Sequence, residues 1–147
     1  MLSVASLGVL AALVLPVAFG AGGSQTIAGA PTLPIGVRVG HAYTLTGCEW
    51  YAEIWRIKLA RGDRLRLNYG SKNGQPVQIL VLDPSSNDQS GFEAGTGVLA
   101  ESSTIYRDDL VLGATKAGRY SIVLHTNFPC QTSIWYYLTA HVQHAAH

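Results

Sequence analysis

The chain has 147 residues, with ten Lys and Arg against nine Asp and Glu and a formal net charge of +1. The two signs are interspersed, so nothing points to nucleic acid, and the length suits one domain. Charged residues make up only 13% of the chain, low for an intracellular protein and tolerable in an exported one.

The first twenty residues, "MLSVASLGVLAALVLPVAFG", carry no charged side chain. They run apolar from Leu7 to Leu15, break at Pro16 and continue through the small residues Ala18 and Gly20. That order predicts a signal peptide over residues 1–22, cleaved near Gly20 or Gly22. The apolar core is short for a helix crossing about 30 Å of hydrocarbon. A retained anchor is the alternative, and no later segment is apolar for long enough to span a membrane. The expected location is outside the cell or in its envelope. Residues 23–36, rich in Gly, Ala and Pro and free of charge, read as a flexible lead-in, with order starting near Leu33 or Ile35.

From residue 37 to 143 the chain reads in short pieces bounded by turn residues. "HAYTLTG" alternates Tyr43 and Leu45 against Ala42 and Thr44. "YAEIWRIKL" puts Glu53, Trp55, Ile57 and Leu59 on one face and Ala52, Ile54, Arg56 and Lys58 on the other. "RGD" at 61–63 is a turn, not an integrin ligand. "RLRLNYG" sends Leu65, Leu67 and Tyr69 inward and Arg64, Arg66 and Asn68 outward, the cleanest period of two in the chain. Asn73-Gly74 marks another turn. "VQILVLD" is almost wholly apolar and reads as a central strand ending at Asp83-Pro84. "TGVLAESS" and "DLVLGA" are weaker strands, and the intervening "LAESSTIYRDDL" fits one helical turn or an irregular strand. "AGRYSIVLHT" points Tyr120, Ile122 and Leu124 to one side. "SIWYYLTAHV" points Ile134, Tyr136, Leu138, Ala140 and Val142 to one side and Trp135, Tyr137, Thr139 and His141 to the other. Residues 144–147 are expected to fray. Seven or eight short strands without a helical period predict an all-β, jelly-roll-like antiparallel sandwich.

The two cysteines, Cys48 and Cys130, precede two of these strands. An even count in an exported chain predicts one disulfide, worth roughly 4 kcal/mol for a loop of about 80 residues; two free thiols are the alternative.

The order "YAEIWRIKLARGDRLRLNYG", "VQILVLDP" and "AGRYSIVLHT" resembles the bacterial pre-peptidase C-terminal domain family, over about residues 38–142. The features are the aromatic strand at Trp55 to Leu59, the Gly62-Asp63 turn, the strand Leu65 to Tyr69, and Ala117-Gly118-Arg119-Tyr120. The resemblance implies a jelly-roll sandwich of the kind attached to secreted peptidases and related to collagen-binding domains. Those relatives bind calcium near an acidic N-terminal linker, which this chain lacks, having no Asp or Glu over residues 20–40.

Candidate sites follow from residue type. Trp135 and Tyr137, facing away from the core beside Arg56 and Lys58, would make a platform for a glycan or an extended peptide; packing under loops or the N-terminal segment is the plainer alternative. Glu53 is read as a carboxylate at a strand end, wet on one side; pointed inward, it would need a partner. A hydrolase would need two carboxylates flanking a cleft, drawn from Glu53, Asp63, Asp83 and Glu93, and no local spacing selects a pair. Asp83, Asn87, Asp88 and Glu93 offer oxygens to calcium, though a solvated loop explains them as well. His141, His144 and His147 would share one helical face and hold zinc or copper, but a frayed end is the simpler reading. No cofactor is expected. The leading expectation is a non-enzymatic module that binds an extracellular protein or polysaccharide. A small hydrolase and a self-associating envelope protein are the competing ones.

Overall fold

The computed structural model describes residues 23, 26–44, 51–74, 77–86, 97–102, 107–126 and 133–146. Eight strands are formed: β1 (Arg38–Thr44), β2 (Tyr51–Leu59), β3 (Arg64–Ser71), β4 (Gln78–Leu82), β5 (Val98–Glu101), β6 (Arg107–Gly113), β7 (Gly118–Thr126) and β8 (Ser133–Gln143). No helix occurs among the described residues. The predicted leader, residues 1–22, lies outside them.

The strands form two four-stranded antiparallel sheets, one in the order β1-β8-β3-β6 and the other β2-β7-β4-β5. The first strand pairs with the last, the second with the seventh, the third with the sixth and the fourth with the fifth. The chain thus behaves as one long hairpin wrapped into two layers, the jelly-roll arrangement, as the strand pattern predicts. Alternation selects what each sheet buries. Trp55, Ile57 and Leu59 from β2 and Tyr120, Ile122 and Leu124 from β7 meet Leu65, Leu67, Tyr69, Tyr136, Leu138 and Ala140 from the other sheet.

The N-terminal segment closes one side of the sandwich. Leu33 N–H donates to Arg56 O at 2.7 Å on β2, and Gly36 N–H donates to Ala140 O at 2.8 Å on β8. Leu33, only 1% exposed, therefore packs into the core where the β1 and β2 edges face each other. Further upstream, Ile27 and Ala30 lie on the outer face of the second sheet against Ala52, Ile54, Leu82 and Val123. At Gly23 the backbone runs so close to β2 that an added Cβ would stand 2.9 Å from Ile54 O. Both faces of β2 are thus buried at its start. The Ala52 and Ile54 side is covered by the segment before β1, and Glu53, expected to be wet, is buried on the other side.

The β2–β3 turn has Gly62 at φ +90°, a conformation that strains residues with a side chain. Asp63 is 2% exposed, its carboxylate turned back to the Ala60 amide at 2.8 Å. The RGD triplet therefore presents no acid to a partner.

The expected Cys48–Cys130 disulfide is corrected: no disulfide is present among the described residues, and both cysteines lie outside them. The expectation rested on an even count, and a count carries no geometry, whereas a bridge needs Cα atoms within about 7 Å.

Candidate functional site

Two features stand out from the packed frame: an open sheet face and a polar cluster inside the sandwich. The face is the outer side of β1-β8-β3-β6. Along β8, period two brings Trp135, Tyr137, Thr139 and His141 to this side, opposite the buried Tyr136, Leu138 and Ala140. Register fixes their neighbours. Tyr137 lies between Gly40 of β1 and Gly70 of β3, and His141 lies beside Arg66 of β3. With glycine on both sides, the Tyr137 ring has no side chain directly opposite it on either neighbouring strand. The Arg38 guanidinium covers it at 4.7 Å from the ring centroid. Lys72, just past β3, stands 5.2 Å from the Trp135 centroid. Trp135 is 40% exposed. Cation–π contacts at exposed sites are worth about 0.5–1 kcal/mol, weak enough to be exchanged for a ligand.

Further along the same face a shallow depression of ≈ 460 Å³ is lined by Arg64, Arg66, Asp109, Val111 and His141. Asp109 accepts from Arg66 Nε at 3.1 Å and from Asn68 Nδ2 at 2.7 Å. It is the one carboxylate on this face among the described residues.

Arg56 and Lys58 are not part of this surface. They belong to β2, in the other sheet. Arg56 is half-buried, its main chain bonded to Pro31 and Leu33. The cations beside Trp135 and Tyr137 are instead Lys72 and Arg38. Single-strand parity can find the aromatic pair, but only strand pairing, which one sequence does not display, finds its cationic neighbours.

The polar cluster sits between the sheets. Glu53 is 1% exposed. Its Oε1 is 2.5 Å from His41 Nδ1 of β1, its Oε2 accepts the Tyr136 hydroxyl of β8, and Trp55 Nε1 reaches the same hydroxyl at 3.4 Å. Glu53 is thus the inward-pointing carboxylate that requires partners. The partners are a histidine and a tyrosine from the facing sheet rather than the Lys and Arg nearby in sequence.

The other carboxylates lie elsewhere. Asp63 is held below its ordinary pKa chiefly by the Ala60 amide, with His144 adding to this and burial opposing it; His144 Nδ1 is 3.1 Å away. Asp83 accepts from the Ser85 hydroxyl at 2.6 Å and the Ser85 amide at 2.8 Å, and pairs with Lys116 at 2.9 Å. These contacts bring its pKa down to about 2. From Glu53 to the end of β2 is about 20 Å at a strand's rise, and Asp63 lies beyond that end. A glycosidase pair stands about 5–9.5 Å apart, so Glu53 and Asp63 form no such pair. Asn87, Asp88 and Glu93 lie outside the described residues. No group of three His, Cys, Asp or Glu able to hold a metal occurs among the described residues. His141 lies on the sheet face, while His144 reaches the β2–β3 turn.

No protein-family model matches the sequence, and no curated protein does. The solved structures similar to the chain include the following two. The pre-peptidase C-terminal domain of a collagenase from Bacillus anthracis shares 13% identity over 75% of this chain and 93% of that one, with a TM-score of 0.45. PliG of Aeromonas hydrophila, a periplasmic inhibitor of g-type lysozyme, shares 12% identity over 77% and 94%, with a TM-score of 0.47. These likenesses are distant and concern fold alone.

Proposed function

We propose that this chain is an exported, non-enzymatic binding module whose ligand surface is the outer face of β1-β8-β3-β6. One observation carries the reading. The outer face of the second sheet is covered at Ala52, Ile54, Leu82 and Val123 by Ile27 and Ala30, whereas the first sheet leaves Trp135 exposed next to Tyr137, Arg38 and Lys72. An exposed tryptophan on a rigid sheet is a large contact area already fixed in place, so little conformational entropy is lost on binding. The face is shallow and lies on paired strands, which suits binding without chemistry. Export rests on the apolar leader.

The test is intrinsic tryptophan fluorescence of the purified chain against neutral and acidic polysaccharides, peptidoglycan and collagen-like peptides. A saturable shift that Trp135→Ala abolishes, with circular dichroism unchanged, is the expected result. Saturable binding that Trp135→Ala leaves intact would place the ligand elsewhere and end this reading.

A further inference from the structure

Resting on the reading of this face as a ligand surface, we infer that its ligand is a polyanionic polysaccharide, a polymer of sugar rings bearing carboxylates. The first support is charge. Arg38, Arg64, Arg66 and Lys72, four of the chain's ten Lys and Arg, stand on or beside this face, and Asp109 is its one acid among the described residues. Asp109 is already engaged by Arg66 and Asn68. Arg38, Arg64 and Lys72 join no ion pair among the described residues. Among the described residues this face thus carries four cations to one acid beside the exposed Trp135, and such a surface attracts and orients anions.

The second support is spacing. Trp135 and Tyr137 are two residues apart on one strand, so their Cα atoms are about 6.8 Å apart along a line. Each ring has its own cation, Lys72 and Arg38 respectively. Two successive ring-and-cation units suit a ligand that repeats an apolar ring face with an acidic group. The line continues down β8 to His141 and the depression beside Arg64 and Arg66.

The third support weighs against the nearest rival, an acidic peptide, at the strand that carries the rings. Extended peptides gain affinity by adding to a sheet edge through main-chain hydrogen bonds. β8 and β3 are interior strands, paired on both sides, so this face offers side chains only.

The test titrates the purified full chain, by tryptophan fluorescence, with polygalacturonate, with the same polymer fully methyl-esterified, and with poly-glutamate. Esterification keeps the rings and removes the charge. Saturable binding to polygalacturonate is expected. It should weaken at least tenfold on esterification, in the Arg38→Gln/Lys72→Gln double variant, and for poly-glutamate. It should also fall as salt rises, an arm that needs no variant. Equal binding of acid and ester would overturn the anionic assignment and leave the face a ligand surface. Poly-glutamate binding as tightly as polygalacturonate would overturn the polysaccharide assignment. Binding to none of the three would overturn the inference, and the reading beneath it would then stand or fall by the wider Trp135→Ala screen.

Discussion

The Tyr136 hydroxyl on β8 donates to the Glu53 carboxylate on β2, joining the two sheets by a hydrogen bond through the sandwich interior. Both side chains are almost wholly buried, at 2% and 1% exposure. A buried carboxylate that loses a donor keeps its desolvation penalty without the compensation. Tyr136→Phe, which removes only the oxygen, should therefore lower the unfolding free energy by about 1.5–3 kcal/mol. His41→Ala should cost less, because the His41 side chain is 37% exposed and water can take its place. Urea denaturation of both variants checks the order. A Tyr136→Phe protein as stable as the parent would show that the bond contributes nothing.

Asp83 makes part of the stability depend on pH. Its pKa is brought from the ordinary 3.8 to about 2 by the Ser85 hydroxyl first, then the Ser85 amide and Lys116, with burial opposing them. The folded value lies below the unfolded one, so the contribution is complete above about pH 4 and is lost as pH falls through 4 toward 2. It is on the order of 1 kcal/mol once solvent screening is allowed for. Ser85→Ala and Lys116→Met should each raise the Asp83 pKa toward the ordinary value. Carboxyl chemical shifts followed from pH 6 to pH 1.5 would measure both, and a variant that leaves the pKa unchanged would remove its contact from the causes.

Leu33 closes the side where β1 and β2 face each other, and it should behave as a core residue. Leu33→Ala should cost about 2–5 kcal/mol, as large-to-small changes at buried sites do. The change should also speed hydrogen exchange at the Leu33 and Gly36 amides, which bond to β2 and β8, more than at Ile122 on central β7. Equal acceleration at all three would mean the segment opens only with the whole domain.

The strands were legible because a period of two survives in nearly every one: "RLRLNYG" and "SIWYYLTAHV" each display their buried side without any tertiary information. The jelly-roll order follows less directly, since strand pairing is a property of distant segments. That same gap explains the errors at the site. Trp135 and Tyr137 can be placed on one face from parity alone, but Arg56 and Lys58 are as eligible as any other cation until the fold puts Arg38 and Lys72 beside the rings. Glu53 announces a need for a partner only once its face is known to be inward, and His41 and Tyr136 are 12 and 83 residues away. Nothing in "GAPTLPIG" marks Leu33 as buried, because a single apolar residue between prolines has no period. The link from His144 to Asp63 is equally silent in "HVQHAAH".

Asp109 supplies a prediction of opposite sign to the cation variants. It is the acid on an otherwise basic face, bonded to Arg66, whose side chain is 61% exposed. An exposed ion pair of this kind contributes about 0–1 kcal/mol, so Asp109→Asn should leave stability nearly unchanged. The substitution removes the one negative charge near the depression among the described residues and frees Arg66 to meet an outside anion. Binding of polygalacturonate should therefore tighten, by about threefold to tenfold at low salt, and the gain should shrink as salt screens the face. Titration of Asp109→Asn beside the parent at two salt concentrations measures this. Weaker binding in the variant would mean that Asp109 holds Arg66 in the position the ligand needs, and an unchanged affinity would put the contact zone at the Trp135 end of the strand alone.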